Sequence, residues 1–369
     1  MKNNSKKGGG LIGGLILIAV GVMLLFWNEG RTVSMQSAIN EGLKNYKDVS
    51  SEQIDPKNEG KLIATTGKLD LSNSAPVKDS TFGITVKGAK LVREVVMYQW
   101  IEECTTDDND QRHCTYSKDW KGDLVDSSEF TNGGHNNPES FQYEDEDFIA
   151  TNVKVGAFDL PERLLDKLSC NEELNNEKLS QMYTTQVGEY KLVGDHLTNT
   201  KVETDPQIGD IRIFYRYATD GEVSLLGVQK GTTLTAFTGK KGSSIYELKR
   251  GSYTGKEILN SLTKQNSRVK WIFRIVGTLA VIIGIGSLFA PLELLANKVP
   301  VLGKIVSAGT GAVSFVLGLS ISLLVIAIAW FRYRPVLSIT LLAIIIALLV
   351  FLKLKPKKEK PKENKPQEN

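Results

Sequence analysis

Four stretches of the chain are nearly free of charge and dense in leucine, isoleucine and valine: Leu11–Trp27, Ile275–Ala290, Ile305–Phe331 and Val336–Leu352. A bilayer core of about 30 Å takes roughly 17–25 apolar residues at about 1.5 Å rise each. The stretches at Leu11, Ile305 and Val336 reach that length unaided. The one at Ile275 reaches it when Trp271–Arg274 or Leu292–Leu295 are added. The pattern predicts a short terminus at 1–10 and membrane spans at 11–28, 254–290 (including a stalk helix), 305–331 and 335–353.

Residues 32–267 contain no comparable run, and there the periodicity changes. Val33, Ala38, Ile39 and Leu43 form a weak helical stripe, read as a linker helix over 32–60. From 61 to 253 the pattern alternates. Lys61–Leu69, Gly83–Glu102, Ile208–Ala218 and Glu222–Phe237 read as strands, and Thr219-Asp220-Gly221 as a hairpin turn. Leu160–Asn175 reads as one helix, opened by Pro161. Thr254 and Glu257 have capping-box spacing, so a helix begins there and runs into the second span. Pro291 and Pro300 bracket a short cytoplasmic interfacial loop over 291–304. The Lys/Pro/Glu tail at 354–369 lacks apolar residues and is expected to be disordered. The expected fold is α+β: four transmembrane helices plus a mainly β extracytoplasmic domain inserted between the first and second spans.

Averaged composition conceals this segregation: 24% of residues are charged, and mean hydropathy is −0.15. The formal charge of +3 is likewise an average of opposites. Residues 32–267 hold 27 Lys and Arg against 37 Asp and Glu, a net −10, and the rest hold 18 against 5, a net +13. An acidic domain argues against nucleic-acid binding. Lys2, Lys6, Lys7, Lys298, Lys304 and the seven lysines from Lys353 to Lys365 make 12 on one side, against 6 Lys and Arg at the opposite ends of the spans. The excess marks the cytoplasmic side, so both termini face the cytoplasm and the acidic domain is exported. The lysine-led stretch at Leu11 also fits a signal peptide, but no small-x-small cleavage site follows it, so retention is expected.

Candidate chemistry is sparse. Neither Gly-x-Ser-x-Gly nor His-Glu-x-x-His spacing occurs, and no cofactor or metal motif is expected. His113 falls at a polar hairpin tip beside Asp107–Asp110, and His196 is isolated. His135, within Gly133-Gly134-His135-Asn136-Asn137-Pro138-Glu139, is read as shaping a turn and capping backbone groups, with ligand binding the alternative. Cys104 and Cys114, ten apart, are a candidate disulfide in a translocated domain, against two reduced thiols, and Cys170 is expected buried in the short helix. The acidic runs at 107–110 and 144–147 lack calcium-loop spacing and read as solvated charge. Glu29 at the end of the first span calls for a cation, from Arg332, Arg334, Arg31 or Arg274, with pairing to headgroups as the alternative. Gly9 and Gly13, Gly10 and Gly14, and Ala280 and Gly284 have the four-residue spacing of close helix contacts.

Six motifs occur in order: Phe26-Trp27-Asn28-Glu29-Gly30-Arg31; Met97-Tyr98-Gln99-Trp100-Ile101-Glu102; Tyr116 to Trp120 with Asp126-Ser127 and Phe130; Gly134-His135-Asn136-Asn137-Pro138; Ile208-Gly209-Asp210-Ile211-Arg212-Ile213; and an aromatic-Arg-Pro turn with Arg332 and Arg334-Pro335. Together they resemble the transmembrane protein 43 (LUMA) family. The resemblance implies four spans with a large lumenal domain. It also implies interaction or structural roles for Trp27, Asn28, Glu29, Gly30, Arg31, Trp100, Glu102, His135, Asn137, Pro138, Gly209, Asp210, Arg212, Arg332, Arg334 and Pro335. In an animal cell it implies the endoplasmic reticulum or inner nuclear membrane, with emerin and lamins as partners. The tail and the asparagine-rich loops suit a bacterial member in a cell membrane. The expected role is a non-enzymatic scaffold or membrane organiser that contacts lipid and membrane or extracytoplasmic proteins, with self-assembly as a homo-oligomer one form of it. The alternatives are a transporter or channel accessory and an extracytoplasmic hydrolase.

Overall fold

The computed structural model describes residues 5–107, 111–296, 300–340 and 343. Helix α1 covers Ser5–Asn45. Strands β1 (Lys47–Ser50), β2 (Leu62–Asp70), β3 (Val77–Asp79), β4 (Ile84–Val86), β5 (Lys90–Thr106) and β6 (Arg112–Lys121) follow. Next come β7 (Glu146–Ile149), β8 (Val153–Val155), β9 (Phe158–Leu160), the single-turn helix α2 (Glu162–Leu165), β10 (Glu172–Glu173) and α3 (Asn176–Met182). Then follow β11 (Lys191–Val193), β12 (His196–Thr198), β13 (Ile211–Ala218), β14 (Glu222–Lys230), β15 (Thr233–Thr235), β16 (Phe237–Thr238), β17 (Ser244–Ile245) and β18 (Glu247–Arg250). Helices α4 (Gly255–Ala296) and α5 (Pro300–Tyr333) come last. Residues 335–340 are helical. Apart from residue 343, the rest of the expected fourth span, the tail at 354–369 and residues 1–4 lie outside the described residues.

The chain divides into two compact units. One holds α1 up to Ile39, Gly239–Ser243 and the chain from Ser261; the other holds Asn40–Thr238 and Ser244–Asn260. Among the described residues three helices are long and apolar enough to cross a membrane: Leu11–Asn45, Gly255–Phe289 and Thr310–Tyr333.

In the helical unit α1 and α4 approach through glycines seven apart. A Cβ on Gly14 would stand 2.8 Å from the Gly284 carbonyl oxygen, and one on Gly21 would stand 2.8 Å from that of Gly277. Only a residue without a side chain admits such backbone contact. The glycine contacts thus recur every seven residues, and Ala280 and Gly284, four apart, both face α1. Gly13 meets nothing within 4 Å, and Ala280 contributes a methyl group beside Gly21. Leu25, Val281 and Ile285 are buried beside this seam.

In the β unit two seven-stranded sheets share one core, with Ile63 and Leu69 of β2, Leu91, Val95 and Met97 of β5, Ile213 and Tyr215 of β13, and Val223 and Leu225 of β14 all in contact through it. The first sheet runs β1-β2-β8-β9-β15-β14-β18, and β2 also pairs with β14, so the ladder closes on itself. The second runs β11-β12-β13-β5-β6, with β10 on β13 and β7 on β5.

Several expectations are corrected. The linker helix stops at Asn45, because Lys47–Ser50 pairs in parallel with Ile63–Thr66, a partner that local periodicity does not reveal. Leu160–Asn175 is not one helix. Leu164, Leu165 and Leu168 turn into the core, and Glu172 and Glu173 pair with β13. Cys170 therefore lies in a loop, half-buried. Thr219-Asp220-Gly221 is not a hairpin turn but a crossing between sheets: β13 pairs with β5, and β14, buried along most of its length, takes the centre of the other sheet. The 291–304 loop shrinks, since α4 continues through Pro291 to Ala296 and α5 begins at Pro300, where the missing N–H needs no acceptor. The capping box forms: the Thr254 backbone N–H donates to Glu257 Oε2 at 2.9 Å, and the Glu257 N–H to Thr254 Oγ1 at 3.3 Å.

Candidate functional site

The β5–β6 hairpin is the longest two-stranded ladder in the β unit, and its register puts even-numbered residues on one face. Tyr98 lies opposite Trp120, Trp100 opposite Lys118, Glu102 opposite Tyr116, and Cys104 opposite Cys114. The two cysteines are joined as a disulfide. Side chains on facing strands at such positions stand close enough to interact directly.

Residues 125–138 cover this face, and polar side chains hold them there. Asn137 acts as an extra strand partner for Trp100: its Oδ1 accepts the Trp100 N–H at 2.7 Å, and its Nδ2 donates to the Trp100 carbonyl at 2.9 Å and to that of Val125 at 3.1 Å. Gln99 fixes the start of the segment, donating to the Asp123 carbonyl and accepting from Val125 N–H. Glu102 accepts four hydrogen bonds, from the Tyr116 hydroxyl and the Thr131 N–H at 2.5 Å each, the Thr131 hydroxyl at 3.2 Å and Arg112 at 3.4 Å. The Tyr116 hydroxyl, then these Thr131 and Arg112 contacts, hold the Glu102 carboxyl below its ordinary range against the opposing effect of burial.

His135 stacks on Tyr116, with centroids 3.9 Å apart and planes 3° from parallel, and presents an edge contact to Trp100 at 4.5 Å. Its Nδ1 is buried without a hydrogen-bond partner, so it packs rather than capping backbone through that atom. Lys118 lies over Trp100 at 4.7 Å, and Arg212 over Trp120 at 4.1 Å while pairing with Glu203 at 2.6 Å. Gly209, at φ +92°, has Pro138 at 3.3 Å from where a Cβ would sit. Its N–H donates to the Tyr98 carbonyl, and the Asp210 carbonyl accepts from Tyr98 N–H. Trp100, Glu102, His135, Asn137, Pro138, Gly209, Asp210 and Arg212, scattered over 113 positions, thus converge. Tyr116, Lys118 and Trp120 belong with them, and strand parity alone would have found them. Thr131 carries no such signal.

A Glu102 oxygen and the two sulfurs lie within 4.8 Å of one another. The sulfurs are bonded together, however, and the carboxylate is occupied by Tyr116 and Thr131, so the trio is a rivet rather than a ligand set. Of the other histidines, His113 pairs with Asp107 on the exposed tip, and His196 contacts Asp195 and lies tilted against Phe214. The acidic run at 144–147 is not free in solvent. Asp145 accepts the Val95 N–H, Glu146 pairs with Arg93, and Asp147 with Lys90. Arg93 in turn binds the fully buried Asp79 at 2.7 Å, which also accepts from the Tyr215 hydroxyl.

In the helical unit the residues around Glu29 form a second cluster. Glu29 is wholly buried; Arg274 grips one oxygen through Nε at 2.7 Å and Nη2 at 2.6 Å, and Trp330 Nε1 donates to the other at 3.0 Å. Of the four candidate cations, Arg274 is the partner. Arg332 lies over the ring of Tyr333 instead, and Arg31 contacts Thr32. Asn28 donates to the Lys270 carbonyl at 3.1 Å, and Trp27 meets Phe273 edge-on at 5.6 Å. Gly30 faces Tyr333, whose Cζ would be 2.7 Å from an added Cβ. Arg334 donates its N–H to the Trp330 carbonyl, and helical residues 335–340 begin at Pro335.

Three apolar candidate spans and a mainly β domain built on a riveted hairpin define an α+β membrane protein. The family model described as transmembrane protein 43 matches residues 97–335, and the chain belongs to that family. It is 29% identical to human transmembrane protein 43 over 350 residues, 90% of this chain and 86% of the relative, and equally so to the mouse protein. To the transmembrane protein 43 homolog of Drosophila melanogaster it is 27% identical over 345 residues, covering 89% and 90%. No solved structure matches the chain.

Proposed function

We propose that the chain is a non-enzymatic membrane organiser whose β domain, held outside the cytoplasm with both termini inside it, docks a protein partner. Family membership supports the reading. The single observation that carries it is that the two polar anchors of the hairpin face, Glu102 and Asn137, are saturated. Glu102 and Asn137 spend their hydrogen bonds on backbone and neighbouring side chains, leaving a preformed surface of stacked rings and cations rather than a nucleophile with its base. Rigid aromatic and cationic surfaces are what protein interfaces use as anchors.

The test is photo-crosslinking from Lys118 and from Leu124, an exposed side chain just before the covering segment, of the full chain in native membranes, with identification of the adducts. A protein adduct, including a second copy of this chain, supports docking; adducts confined to lipid would sink it. Protease added to sealed vesicles checks the orientation: cleavage near Asp107 on the same side as the lysine tail would refute it.

A further inference from the structure

The helical unit carries an apolar groove of about 550 Å³ between α4 and α5, lined by Ile275, Leu279 and Ile282 on one wall and Phe315, Leu319 and Leu323 on the other. From Trp271 to Ile282 it runs about 16 Å along α4 at about 1.5 Å per residue, which matches one leaflet, half of a hydrocarbon core of about 30 Å. Trp271 and Trp330 flank its mouth, and tryptophans favour the headgroup level.

Charge at that mouth is lopsided. Lys270 Nζ lies 5.8 Å and the Arg274 guanidinium 5.0 Å from the Trp271 ring, and Arg334 donates its N–H to the Trp330 carbonyl, so three cationic residues sit at the two tryptophans against the carboxylate of Glu29. Arg274 already occupies that carboxylate. Like charges held together beside an apolar slot call for an anion with a hydrocarbon tail.

We infer that this groove seats an anionic phospholipid, with the phosphate between Lys270 and Arg334 and one acyl chain lying along Ile275, Leu279 and Leu323. The full-length chain in mild detergent is offered equal amounts of phosphatidylglycerol and phosphatidylcholine with identical acyl chains, and retained lipid is read by native mass spectrometry. Phosphatidylglycerol should be retained preferentially. Lys270→Gln with Arg334→Gln should weaken its retention roughly thirtyfold, since each cation beside an anionic headgroup contributes about a factor of five. Leu323→Trp should block the tail and lower retention with all cations in place. Unchanged thermal unfolding of each variant in phosphatidylcholine verifies that it still folds. Equal retention of both lipids, an unaffected double variant, or displacement by free glycerol phosphate as effective as by lipid would overturn the inference. So would a disulfide joining Leu323→Cys to Ala347→Cys, because the chain's own fourth hydrophobic stretch would then fill the groove.

Discussion

Glu29 and Arg274 stand 245 residues apart in the chain and meet through two contacts of 2.6 and 2.7 Å, with the carboxylate fully buried. A buried charge is tolerable only beside its counter-charge, so each residue accounts for the presence of the other. Trp330 adds α5 to the same carboxylate, and one side chain therefore ties three helices.

Removing either partner alone strands the other. Glu29→Gln or Arg274→Leu should cost about 3–5 kcal/mol, while the double variant should cost less than the sum of the two. Denaturation of the purified chain in detergent measures all three, and simple additivity would refute the coupling.

The glycine seam distinguishes positions that composition treats alike. Gly21→Leu drives a side chain into the Gly277 carbonyl and should cost about 1–3 kcal/mol. A Cβ at Gly13 meets nothing within 4 Å, so Gly13→Leu should stay within about 0.5 kcal/mol. Thermal unfolding of the two variants side by side is the check, and equal losses would disprove the seven-residue register.

The Cys104–Cys114 bridge closes a loop ten residues long. Replacing both cysteines by serine should lower stability by about 2–3 kcal/mol through the freed unfolded chain. Hydrogen exchange should accelerate first at the tip, around Thr105 and His113. Protection left unchanged there would show that the bridge contributes nothing.

Glu102 links the hairpin to acidity. Its carboxyl is held below the ordinary value of 4.5 in the folded chain, so its contribution is fully present above that value and is lost as the pH falls through the lower folded pKa. Exchange at the Thr131 amide should quicken in that acidic window. Glu102→Gln should flatten the pH dependence, and a slope that survives the substitution would assign it to another group.

The spans at Leu11, Ile275 and Ile305 were legible because lipid selects on local composition. The strand character of 61–69, 208–218 and most of 222–237 was legible because alternation reflects one buried face. Local signals failed wherever a distant partner decided. Residues 47–50 left the helix for β2, the turn at 219–221 crossed between sheets, and the acidic run at 144–147 was claimed by Lys90, Arg93 and Val95. The same holds for the site. The motifs identified Trp100, Glu102, His135 and Asn137 as a set, but neither the stacking of His135 on Tyr116 nor the grip of Thr131 on Glu102 has any counterpart in spacing along the chain.

By itself the sequence determined which segments favour lipid, which alternate, where the stalk helix is capped and to which family the chain belongs. Each of these rests on interactions within a few residues or on composition. The tertiary structure alone decided which of four cations neutralises Glu29, which glycines meet, and how eight dispersed residues build one face of a hairpin. Those outcomes depend on pairing across tens to hundreds of positions, where burial leaves a polar group with the partner that the packed backbone brings to it.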